Sequence, residues 1–330
     1  MKAKTLMALA GLAITAPAMA VVFPEIEPNE SKAQATANGT FTMSAGDALT
    51  GTSTGSSTVT PGTASADTWR IKTAVAPLGI YRHRLVITTG GTAGHTGTIR
   101  GLTQSAGVIS TTDTAAQTSS SVTNPPRFNQ WYGFGKGEEL YYRVTGTTST
   151  TAPYNATLET MLITPTNIGS FLEGQVTITT VGQGHTTDTD MWVYDSNFNA
   201  IDDFGNDDEG PNGSTLQSRL VRNYTPGTYY LALTNFNLAN HEESDMADED
   251  FKSGTVLDFA GAVLNSSTTT NLNMTFSIQD SDDPAPTQVP NTKVGPFDIN
   301  WFCFTVVPIP TPGAVTLLGL AGFVGLRRRR

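Results

Sequence analysis

Apolar residues alternate with polar ones over short stretches of the chain, and no long segment carries a 3.6-residue period. The alternation predicts strands over 39–43, 68–73, 81–88, 97–102, 139–145 and 155–163. A second series is predicted over 173–180, 191–194, 228–235, 256–263, 272–278 and 297–306. Abundant Thr favours extended backbone, and Gly and Asn supply turns. Pro226-Gly227 is a turn signal leading into 228–235, where alternation turns one face inward. Residues 51–66 and 113–124, dominated by Thr, Ser and Gly or Ala, read as loops. The expected fold class is all-β: two jelly-roll or immunoglobulin-like β-sandwich modules. An N-terminal signal helix and a short C-terminal hydrophobic helix flank them.

The two ends follow a different pattern. Lys2 and Lys4 precede an apolar run over 6–14; Pro17 breaks it and Ala18-Met19-Ala20 follows. A basic start, a greasy middle and a small-x-small site make a secretory signal peptide. Ala18 and Ala20 suit signal peptidase, with cleavage expected after Ala20. At the other end Pro308-Ile309-Pro310-Thr311-Pro312 is stiff and extended. An apolar run over 314–326 and then Arg327, Arg328, Arg329 and Arg330 complete the chain. That run is shorter than the ~20 residues a permanent helical span prefers. The arginines would stay in the cytoplasm and halt export, which describes a transient membrane anchor.

This tail resembles the C-terminal sorting signals of exported bacterial proteins called PEP-CTERM: a Pro-containing motif, a hydrophobic segment and a basic end. The motif here is Pro308-Ile309-Pro310 or Pro310-Thr311-Pro312, without the usual Glu, like variants in planctomycete-like bacteria. The resemblance implies an exosortase-type transpeptidase as partner and removal of the tail. It also implies delivery to the cell envelope, outer surface or extracellular matrix.

The expected layout is a signal peptide over 1–20, a first sandwich over 21–166, a second over 167–306 and a sorting tail over 307–330. Pro165, Asn167 and Gly169 mark the boundary, and a Pro-rich insertion or linker covers 280–296. The body resembles bacterial pre-peptidase C-terminal-like β-sandwich domains. The likeness rests on Glu25-Ile26-Glu27-Pro28-Asn29-Glu30, Gly46-Asp47-Ala48-Leu49-Thr50-Gly51 and Asp67-Thr68-Trp69-Arg70-Ile71. It continues in Asp188-Thr189-Asp190-Met191-Trp192-Val193-Tyr194-Asp195 and in Gly227-Thr228-Tyr229-Tyr230. It implies a jelly-roll-like sandwich and an accessory role.

Charge narrows the partners. The chain holds 19 Lys and Arg against 29 Asp and Glu over 330 residues. The signal contributes two Lys and the tail four Arg, so processing leaves 13 basic residues and a body near −16. Such a body excludes nucleic acid as a natural partner. The single Cys303 forms no internal disulfide and reads as a small buried hydrophobe.

Catalytic motifs are absent from the sequence. His83, on a predicted strand, His95 and His185, in Gly/Thr-rich loops, and His241 form no compact zinc spacing. No nucleophile elbow, P-loop or dinucleotide fingerprint occurs. Asp202-Asp203-Phe204-Gly205-Asn206-Asp207-Asp208-Glu209 reads as an oxygen-rich loop suited to Ca²⁺. The candidate ligands are Asp188, Asp190, Asp195, Asp203, Asp207 and Glu209. A second acidic run covers 242–250. Trp69, Trp192 and Trp301 read as core, whereas Trp131-Tyr132-Gly133-Phe134 is a candidate exposed patch. The reading is a non-catalytic envelope or matrix protein acting in display, spacing or adhesion. The alternatives are a carbohydrate-binding module for matrix polysaccharide and a secreted hydrolase with a dispersed active site.

Overall fold

The computed structural model describes residues 19–53, 65–89, 94–102, 118–120, 126–146, 152–209, 215–236, 238–240 and 261–310. Among them the chain is all-β with one short helix. The part before residue 164 forms two five-stranded sheets. One runs, in spatial order, Val22–Pro24, Ala48–Gly51, Tyr154–Ile163, Ile80–Thr89, Phe128–Gly133. The other runs Thr40–Met43, Ala66–Thr73, Glu139–Gly146, His95–Arg100, Thr118–Ser120. Successive strand residues point to opposite faces, so Leu85, Ile87, Ala156 and Leu158 share a core with Trp69, Ile71, Tyr142 and Val144.

The chain passes to a second set of sheets between Ile163 and Thr166. A five-stranded sheet orders Thr166–Leu172, Asn300–Val307, Gly227–Asn235, Thr189–Tyr194 and Ala200–Asn206. A four-stranded sheet orders Arg219–Tyr224, Gly174–Thr179, Phe276–Asp280 and Thr287–Val289. Met191, Val193, Leu231 and Phe302 of the first pack on Val176, Ile178 and Phe276 of the second.

The five-stranded sheet is also covered on its other face. Trp192, Tyr194, Ala232 and Trp301 meet Ile80, Tyr132 and Phe134 from the N-terminal part in a third apolar cluster. Every residue of Thr189–Tyr194 is therefore buried, where alternation alone predicted one inward face. The pair Leu238–Ala239 and Leu264–Asn265 crosses the same junction. Ala239 and Leu264 join the N-terminal core, and Val263 exchanges backbone hydrogen bonds of 2.8 and 3.0 Å with Tyr132.

Several elements differ from the sequence expectation. Val22–Pro24, Ala48–Gly51, Phe128–Gly133 and Arg219–Tyr224 are strands that the alternation did not mark. Thr166–Leu172 is a strand across the Pro165/Gly169 break, pairing in parallel with Asn300–Val307. The strand expected over 97–102 is His95–Arg100, and 272–278 splits into Leu272–Asn273 and Phe276–Asp280. Within 280–296 lie two short paired strands, Thr287–Val289 and Thr292–Lys293.

The helix Lys32–Asn38 is seven residues long, too short to show a period. Ser31 caps it by accepting from Gln34 N at 3.3 Å, and Gly39 ends it at φ 95°. The expected signal helix, C-terminal helix and most of 256–263 lie outside the described residues, as does 242–250. Most of the two expected loops also lies outside, although Thr118–Ser120 is a strand. No helix among the described residues is long and apolar enough to cross a membrane.

Candidate functional site

Among the described residues, two groups of three carboxylates converge, each with ligand-capable oxygens within 4.8 Å of one another. The first joins Asp188, Asp190 and Asp207. Asp190 projects from the interior strand Thr189–Tyr194 toward the same face as Trp192 and Tyr194. The antiparallel register Met191↔Asn206 brings the end of Ala200–Asn206, and so Asp207, beside it. Asp190 is 0% exposed. Its Oδ2 accepts from Leu238 N at 2.6 Å, tying the group to the segment that crosses the junction. Its Oδ1 meets no hydrogen-bond donor. Burial pushes the Asp190 carboxyl up to about 7, opposed by a hydrogen bond with Asp207 and the Leu238 N–H.

The other three expected ligands are engaged elsewhere. Asp195 accepts from Asn197 N and Asn199 N, both at 2.8 Å, and fixes a turn. Asp203 is exposed on the edge strand Ala200–Asn206, at φ 62°, not in a loop. Glu209 pairs with Arg219 at 2.7 Å. Strand pairing thus splits a contiguous acidic run into an exposed edge and a buried end.

The second group is Glu25, Glu27 and Asp67. The parallel pairing of Val22–Pro24 with Ala48–Gly51 lays Glu25 beside Thr52, whose N–H reaches Glu25 Oε2 at 2.9 Å. Asp67 is 0% exposed on strand Ala66–Thr73. Burial pushes its carboxyl up to about 8; the Tyr154 hydroxyl opposes this and the Glu25 charge adds to it. Tyr154 Oη in turn accepts from Trp69 Nε1 at 2.8 Å. A Cβ at Gly51 would overlap Glu25, Tyr154 and Asp67, so the close approach needs glycine there. These carboxylates carried no metal role in the sequence reading. The Glu-x-Glu spacing was visible, but only the fold brings Asp67 to it.

Among the described residues, three histidines pack and bond within the fold. His83 is stacked between Tyr81 and Trp131 at ring separations of 6.2 and 5.2 Å and bonds Thr160 Oγ1 at 2.9 Å. Burial pushes it down to about 4. The cleft it lines, about 150 Å³, also holds Ser44 but no carboxylate. His95 lies buried on a strand, not in a loop, and bonds Thr89 Oγ1 at 2.9 Å. His185 Nδ1 accepts from Thr187 N, leaving Nε2–H for Thr275 O at 2.8 Å. His241 lies outside the described residues.

The aromatic patch is interior. Trp131, Tyr132 and Phe134 are at most 2% exposed, and Trp69, Trp192 and Trp301 are buried too. Cys303 is half-buried, not fully buried. A cleft of about 360 Å³ opens where the two sets of sheets meet, lined by Arg82, Asp298, Asn291, Asn300 and Trp301.

At the processing positions, Ala20 is exposed, and Pro308 and Pro310 leave the last strand exposed. Ala18, Pro312 and Arg327, Arg328, Arg329 and Arg330 lie outside the described residues. No protein-family model matches the chain, and no curated protein is significantly similar to it.

Proposed function

We propose that this chain is an exported, non-catalytic protein of the cell envelope or extracellular matrix whose body acts in display, spacing or adhesion. One observation carries the proposal: an export signal at one end and an anchor-and-arginine tail at the other, around a β-rich acidic body. Signal peptidase and an exosortase-type transpeptidase are the processing partners. The jelly-roll-like form of the two modules belongs to the same proposal, supported by paired sheets over separate cores. Cell fractionation tests the destination. Recovery of the body from envelope or medium supports it; recovery only from cytoplasm, with Met1 intact, contradicts it.

The polysaccharide alternative needs aromatic rings presented to solvent, and burial of Trp131, Tyr132 and Phe134 removes that platform. The hydrolase alternative needs a His, acid and nucleophile together. Thr160 partners His83, and a backbone carbonyl partners His185.

The proposal includes one Ca²⁺ held by Asp188, Asp190 and Asp207, with Asp195, Asp203 and Glu209 outside the ligand set. Two buried carboxyl groups side by side need either a shared proton or a cation, and Asp190 Oδ1 has no donor. Hard carboxylate oxygens suit Ca²⁺. Thermal melts of chelator-treated protein should rise by several degrees with CaCl₂. The rise should survive Asp67→Asn and vanish in Asp207→Asn. Absence of a calcium shift, or a shift kept in D207N, contradicts the site and favours the shared proton.

A further inference from the structure

Val21 N donates to Asp47 Oδ1 at 2.7 Å. Asp47 is 6% exposed, and its other oxygen accepts from Ser44 N at 2.7 Å. The carboxylate is therefore held in place by its own turn, Ser44-Ala45-Gly46-Asp47, before Val21 arrives. Val21 is held independently: its carbonyl accepts from Ala48 N at 2.9 Å, and Val22 pairs with Ala48 in the parallel register that follows. Both partners are thus fixed by backbone, and little side-chain freedom is lost on pairing. Ala20 is exposed and lies over Gly46.

From this geometry we infer that Asp47 is the receptor for the α-ammonium created at Val21 when the leader is removed. The inference rests on cleavage after Ala20. Hydrolysis adds water across the Ala20–Val21 amide: the leader departs with a carboxylate on Ala20, and Val21 nitrogen becomes a protonated amine. One neutral N–H donor on Asp47 is replaced by a cation at the same position. A charge-assisted hydrogen bond is roughly twice as strong as a neutral one. Burial of Asp47, 6% exposed, weakens screening on the acceptor side, while Val21 itself is 47% exposed. Maturation thereby tightens the first parallel strand pair, and with it the packing of Phe23 on Phe41 and Trp69 beneath.

The test is a four-way comparison of full-body chains: starting at Val21 or retaining the leader residues, each with Asp47 or with Asp47→Asn. Melting temperature is the readout. The chain starting at Val21 should melt about 2–4 °C above the uncut one, and Asp47→Asn should abolish that difference. If D47N does not fold, Nα-acetylation of Val21 replaces it. Acetylation keeps the N–H and removes the charge, so the acetylated chain should melt with the uncut one. A gap between cut and uncut chains that persists in D47N or after acetylation overturns the inference, as does no gap at all. Amino-terminal sequencing of exported protein reads the cleavage separately: an end other than Val21 defeats the processing proposal without testing Asp47.

Discussion

The two ends of the β body are built differently. At the N-terminal end, the residue after the expected cut is already part of the fold. Val21 is bound by Asp47 and Ala48, and Phe23 two residues on packs against the core. At the C-terminal end, the last strand Asn300–Val307 finishes before the proline motif. Pro308, Ile309 and Pro310 are exposed, and Ile309 N donates to the half-buried Glu173 at 3.0 Å. A cut at the first end would place a charge against Asp47, which is 6% exposed. A cut beyond Pro310 falls outside the described residues and leaves the strand Asn300–Val307 whole. On the proposed processing, removal of the leader would be read by the fold through Asp47, whereas removal of the tail would leave the strand Asn300–Val307 whole.

The largest effect should come from deleting residues 21–24. That removes a paired strand and the Phe23 ring, and we expect about 3 kcal/mol or more lost in urea unfolding. Removing residues 311–330 in the same assay should cost less than about 0.5 kcal/mol. Equal costs at the two ends would break the comparison.

Acid should expose the N-terminal part next. His83 is pushed down to about 4 by burial, from an ordinary value near 6.5. Between those values the unfolded chain binds the proton and the folded one does not. Stability present above pH 6.5 is therefore lost as pH falls toward 4, by about 3 kcal/mol. Urea midpoints at pH 7 and pH 4.5 should show this loss, and His83→Gln should remove that share of it. An unchanged loss in H83Q would place the acid sensitivity elsewhere. The smallest effect should be Glu173→Gln, within about 0.5 kcal/mol of wild type, because its described side-chain hydrogen bond is to the backbone of the exposed Ile309.

Much of the framework was legible because local signals agreed with the global fold. Gly227–Asn235 follows a Pro-Gly turn and alternates, and Tyr154–Ile163 and Glu139–Gly146 fall within a residue of expectation. Edge and short strands were not legible. Ala200–Asn206 carries Asp202 and Asp203 on an exposed edge, so its polarity resembles a loop. Trp131-Tyr132-Gly133-Phe134 runs into Gly135 and Gly137 and looked exposed, yet packing between the two sets of sheets buries it. The cation candidates split for the same reason. Asp188, Asp190 and Asp207 meet through strand register, which sequence spacing does not reveal, while Asp195 and Glu209 spend their oxygens on a turn and an arginine. Asp47 stood in a motif of the sequence but carried no role there, since its partner is a backbone nitrogen 26 residues away.

The central claim is that both ends of the chain are removed on export. Intact-mass measurement of the protein recovered from the cell surface or medium tests it most directly. The expected mass begins at Val21 and lacks Arg327, Arg328, Arg329 and Arg330. A mass that retains those arginines in every mature molecule, or that begins at Met1, would contradict it.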